Sequence, residues 1–108
     1  MITQTYVFVA TLWIWTSDKA PANWHFLTIE GDVAEALNAV ALMWRLESGK
    51  KRGWGAVKVS ATLGATSWDT SIFPSANRNG WLLPVKSSVR KAEGLMAGDT
   101  TEVTIRLR

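Results

Sequence analysis

The 108-residue chain contains no cysteine. That absence excludes a disulfide framework and every thiolate metal site. It also fits a reducing compartment, so a cytoplasmic location is expected. There is a single histidine, His25, which excludes the common zinc spacings, and no metal site is expected. No apolar run reaches the roughly 20 residues that a membrane helix needs. The apolar start, YVFVATLWIW, has no Lys or Arg ahead of it and is β-branched and aromatic, so it reads as a strand rather than a signal peptide. Positive charge is in only slight excess, with a formal net charge of +3. Nucleic-acid binders usually concentrate more than that on one face. Gly53-Trp54-Gly55 lacks the following helix that a phosphate-cradling loop requires. Ser67, Ser71 and Ser75 lie far in sequence from the one histidine, and nothing marks a triad.

What is present argues for one folded domain. The hydrophobic fraction is 47%, with seven Trp, which excludes disorder. A chain of this size buries roughly 65% of its unfolded surface, enough for a single core without staples.

The patterning gives six strands and two helices. Residues 5–15 read as a strand with both faces apolar, buried on both sides or at an interface. Residues 16–23, TSDKAPAN, read as a loop, and 24–29, WHFLTI, as a returning strand. A helix follows over about 33–47. Asp32 stands at its N-cap, Glu35 completes a capping box, and Val33, Leu37, Val40 and Trp44 form a core stripe. On that reading Trp44→Ala costs roughly 3–5 kcal/mol. Leu42 and Leu46 form a second apolar patch, covered by a loop or used in self-association. Residues 48–55, SGKKRGWG, are a basic connector. Strands over 56–63 and 66–73, a loop over 74–80 and a short strand at 81–85 lead to the second helix.

In that helix Val85, Val89 and Ala92 share one face, and Pro84 fits just before or at the first turn. Glu93 is placed to pair with Arg90, a contact worth roughly 0.2–0.5 kcal/mol. Gly94 ends the helix, Leu95 and Met96 turn inward, and Gly98-Asp99 makes the next turn. From Thr101 the alternation of Val103, Ile105 and Leu107 marks a half-buried closing strand. The order β-β-α-β-β-β-α-β makes the fold mainly β, a small barrel or split barrel with helical caps.

Several of these runs carry a likeness. GWGAVKVSATLG, WDTSIFP and GWLLPVKSSVRKAEGLMAGD, with Trp24 and the helix start EGDVAEAL, resemble the bacterial domain-of-unknown-function family numbered nineteen-oh-five. The resemblance covers roughly residues 8–107 and is strongest from residue 53 onward. It implies a double-split β-barrel, distantly related to AbrB-type swapped-hairpin proteins. In those, a proline, an arginine and a Gly-Asp turn look like Pro84, Arg90, Gly98 and Asp99 here. The family carries no assigned reaction.

Two constellations could carry function. Trp54, Trp68 and Trp81, with Arg52, Arg78, Lys86 and Arg90, could converge at one barrel mouth. Rings and cations together suit an anionic or planar ligand; core filling by the Trps is the plainer alternative. Arg90 could instead pair with Asp69 or Asp99 and lock helix to barrel. Lys58, Arg106 and Arg108, with Lys50 and Lys51, form a basic strand edge interleaved with Glu102 and Asp99. Catalysis has weaker candidates, a Ser71–Lys86 pair or Asp69 with Glu93. The expected function is therefore a non-catalytic module that binds a small molecule or a protein partner, with a homodimer in reach. Its ligand residues would be Arg52, Trp54, Trp68, Ser71, Trp81, Lys86 and Arg90. DNA binding in the AbrB manner is the alternative, and a small enzyme the second alternative. No catalytic residue, cofactor or membrane partner is expected.

Overall fold

The computed structural model describes residues 4–48, 55–75 and 80–108. Eight elements follow the expected order: β1 (Thr5–Ser17), β2 (Ala20–Ile29), α1 (Gly31–Ser48), β3 (Val57–Leu63), β4 (Thr66–Ser75), β5 (Gly80–Pro84), α2 (Ser87–Glu93) and β6 (Thr100–Leu107). The strands close into a barrel in the order β1-β2-β5-β4-β3-β6, with every pairing antiparallel.

The two longest-reaching strands make the double split. The first half of β1, Thr5–Thr11, pairs with β6, and its second half, from Leu12, pairs with β2. Strand β4 pairs with β3 over Thr66–Ile72 and with β5 over Phe73–Ser75. Each of these strands thus passes from one half of the barrel to the other. Closure gives every strand two neighbours, although the start of β2, before Phe26, keeps one edge unpaired among the described residues.

Period-two alternation fills the interior. Leu12, Leu27, Ile29, Val59, Ala61, Ile72, Leu83, Val103 and Ile105 are all 0–1% exposed. Each large aliphatic side chain buried this way contributes about 1.5–3 kcal/mol. The helices close the two mouths. Helix α1 follows β2 and packs on β5 and β1 through Ala34, Leu37 and Val40. Helix α2 follows β5 at the opposite end, with Val89 buried against the core. There the Gly64 turn fits against Glu93: a Cβ on Gly64 would collide with Glu93 Oε1, and its φ of +61° also favours glycine. Thr66 donates to Glu93 Oε2 at 2.6 Å and secures the same contact.

Several expectations are corrected. The loop over 16–23 is strand except for the Asp18-Lys19 turn, because Ser17 pairs with Ala20 in a two-residue hairpin. Pro21 is compatible with strand there because β2 takes up its second neighbour, β5, only at Phe26. Strand β1 is buried on one face only, with Val7, Val9 and Trp15 exposed on the other. The first helix buries Ala34, Leu37 and Val40, and Trp44 is 39% exposed. An 18-residue helix is about 27 Å long, so its second half runs past the mouth it covers. Leu42, Met43 and Leu46 are exposed there. Pro74 and Ser75 belong to β4, and Pro84 ends β5 rather than opening α2, whose N-cap is Lys86. Ala92 is exposed, and Met96 points to solvent at 72% exposure while Leu95 packs inward. Glu93 takes the Thr66 hydroxyl, and Arg90 turns elsewhere. Most of the basic connector, residues 49–54, lies outside the described residues.

Candidate functional site

Among the described residues, the barrel places Trp81 and Arg90, which the sequence suggests could converge, at different mouths. Trp68 faces the interior opposite Ala61 and is 7% exposed. Trp81 faces the interior opposite Ile29, is 2% exposed, and donates its Nε1–H to Asn38 Oδ1 of α1 at 2.8 Å. Trp81 therefore belongs to the mouth under α1. Arg90 belongs to the mouth under α2, where its Nε donates to Val85 O at 3.2 Å. Strand β5 spaces Trp81 and Val85 by about 13 Å. Ser71 points outward from β4, opposite Lys58, and Lys86 is exposed just before α2. Arg52, Trp54 and Arg78 lie outside the described residues.

Around Arg90 a different group assembles. Its Nη1 lies 3.2 Å from His25 Nε2. Val85 N–H donates to His25 O at 2.9 Å, so backbone and side chain fix the same junction. A guanidinium only donates, so Nε2 accepts and the ring proton sits on Nδ1. That Nδ1 is buried and has no hydrogen-bond partner among the described residues. Burial first, and then the Arg90 charge, hold the His25 pKa below its ordinary 6.5, which keeps the ring neutral. The carboxylates that the sequence offers Arg90, Asp69 and Asp99, are engaged elsewhere. Asp69 accepts from Ser60 Oγ at 2.8 Å and faces Arg108 at 3.6 Å, and Asp99 Oδ2 accepts from Met96 N–H at 2.8 Å. Arg90 thus does lock helix to barrel, through an imidazole and a carbonyl. One cue for His25 was present in the sequence: it shares strand parity with Leu27 and Ile29, which places it inward.

Two outer surfaces complete the inventory. On the β6-β3-β4 side, Ser60, Thr62, Ser67, Asp69, Thr104 and Arg106 line an open polar groove of about 520 Å³. Its hydroxyls are largely satisfied locally, as in Thr62–Ser67 at 2.8 Å. Lys58, Arg106 and Arg108 share this side with Asp69 and Glu102, so charge alternates across it. On the opposite side, Trp15 sits directly across from Trp24, and Trp13 across from Phe26. The Trp13–Phe26 centroids are 5.4 Å apart, and Trp24 and Phe26 stack at 6.2 Å. Among the described residues no group of three or more His, Asp or Glu is placed to hold a metal. No described helix is long and apolar enough to cross a membrane.

The family profile described as Domain of unknown function (DUF1905) matches residues 8–105, nearly the whole chain. The chain belongs to this family. The match runs from β1 through β6, so the DUF1905 unit here is the complete barrel with both helical caps. No curated protein matches the chain.

Proposed function

We propose that this DUF1905 barrel is a non-catalytic module that acts by binding, and that it binds a protein surface through the outer face of β1 and β2. The observation that carries this reading is the exposed aromatic pair Trp15 and Trp24, 44% and 51% exposed and directly opposite each other. Phe26 and Trp13 support them from the same face. Val7, Val9, Thr11 and Thr28 continue that face, and Arg106 and Glu102 of β6 border it across from Thr5 and Val9. Rigid rings supply large contact area at low entropic cost and are enriched at interfaces. Monomeric proteins rarely leave a contiguous apolar patch of this kind open. Around Trp13, Trp15, Trp24 and Phe26 the paired strands β1 and β2 present no charged side chain among the described residues, so this part meets a second copy of itself without like-charge repulsion, and the proposed form is a two-fold dimer packed through it.

Sedimentation equilibrium tests the reading. The wild-type chain is expected to self-associate, and a Trp15→Ser/Trp24→Ser double variant is expected to be a folded monomer, with the wild-type far-UV circular dichroism and an unfolding midpoint that no longer depends on protein concentration. A wild-type chain that stays monomeric at high micromolar concentration would end it. DNA binding of the AbrB kind has weaker support, because the outward cations alternate with Asp69 and Glu102; its mark would be affinity falling steeply with salt. An enzymatic reading has less still: Ser71 and Asp69 face outward on β4, away from the only histidine, which faces in from β2.

A further inference from the structure

We propose that Arg90 and His25 form an oxyanion-binding site at the barrel mouth under α2, taking a carboxylate or phosphate group. The inference stands independently of the aromatic face. Arg90 is half-buried and offers five N–H donors. Two are used, on Val85 O and on His25 Nε2. Among the described residues no carboxylate contacts it, and the nearest in sequence, Glu93, is engaged by Thr66. A cation withdrawn from water without a counter-charge is costly, and a bound anion removes that cost. His25 adds the second observation: its Nδ1–H is a buried donor with no partner. Everything left unanswered at this spot is an N–H, so the complement is a group that only accepts. An ionised carboxylate or phosphate is such a group, and its bonds to a guanidinium are charge-assisted and can be bidentate. Lys86, exposed one turn before Arg90, adds positive charge to the approach. Ile14, directly across from His25 and 42% exposed, leaves the apolar side of the mouth open to solvent.

Binding and protonation are coupled here. An anion beside His25 favours its charged form, so the anion raises the His25 pKa and binds more tightly at lower pH.

The test is an NMR titration of the ¹⁵N-labelled wild-type chain with sodium phosphate, sodium acetate or sodium chloride at constant ionic strength. The proposal expects saturable shifts at Arg90 Nε–H and the His25 ring with phosphate or acetate, and a His25 titration moved to higher pH by the same salt. Saturation by acetate as well as phosphate identifies a carboxylate-competent site; saturation by phosphate alone identifies a phosphate site. Arg90→Gln should weaken binding about tenfold or more, and Lys86→Gln, at an exposed position whose side chain makes no hydrogen bond or ion pair among the described residues, should weaken it less. Shifts that are linear in salt and equal in chloride mean screening only and overturn the proposal. That readout uses the wild-type protein, so it stands whether or not Arg90→Gln folds.

Discussion

Arg90 Nη1 and His25 Nε2 meet at 3.2 Å across 65 residues of sequence, tying α2 to β2 through a cation and a neutral imidazole. An Arg90–Glu93 pair would have been a contact within one helix, worth a few tenths of a kcal/mol in solvent. The contact that forms instead joins two elements of the barrel. With Val85 N–H on His25 O, it fixes the β5–α2 junction against β2.

This contact gives stability a pH dependence. The folded His25 pKa lies below 6.5, lowered first by burial and then by the Arg90 charge. Between the folded value and 6.5 the unfolded chain binds a proton that the folded chain does not. The contribution is therefore fully present above the unfolded value and is lost as pH falls through the folded one. Urea midpoints measured from about pH 7.5 down to 5.5, above the ordinary carboxylate range, should fall for wild type. They should stay nearly flat for His25→Gln. An equal fall in both proteins would remove His25 as the cause. Arg90→Gln should keep part of the slope, since burial is the larger cause and remains.

Helix α1 separates two substitutions that its sequence pattern treats alike. Leu37 is 0% exposed against the barrel mouth, whereas Trp44 is 39% exposed beyond it. Leu37→Ala should cost about 2–5 kcal/mol. Trp44→Ala should cost within about 1 kcal/mol, in the range of surface changes. Urea unfolding of both variants checks the pair. A Trp44→Ala loss as large as that of Leu37→Ala would mean that the surface covering this stripe extends along the second half of the helix.

The element order was legible because alternation and helical spacing are local signals. Val57, Val59, Ala61 and Leu63 announce an inward face wherever β3 finds its neighbours. The barrel's closure could only be implied by resemblance, since the split of β1 between β6 and β2 has no local signature. Trp44 illustrates a second limit: periodicity gives a face but not where the covering surface ends. The 16–23 stretch illustrates a third, because its turn lacks Gly or Asn-Gly and Ala-Pro-Ala reads as loop. The ring-and-cation set rested on residue type. Parity would have placed Trp68, Trp81 and His25 all on inward faces, but nothing local pairs His25 with Arg90.

Asn38 and Trp81 give the last test, because they connect the other mouth. Trp81 is buried, and its Nε1–H has one acceptor, Asn38 Oδ1 at 2.8 Å. Removing that acceptor leaves a donor in an apolar surrounding, which costs about 1–3 kcal/mol. Asn38 itself is exposed, so water can replace part of the bond and the expected cost of Asn38→Ala is near 1 kcal/mol, at the low end of that range. Trp81→Phe removes the donor and leaves a smaller ring in the same interior position. In that background Asn38→Ala should be nearly neutral, giving a coupling energy of about 1 kcal/mol in a double-mutant cycle. Additive losses would show that Asn38 stabilises α1 by another route, and that the indole does not depend on the helix for its hydrogen bond.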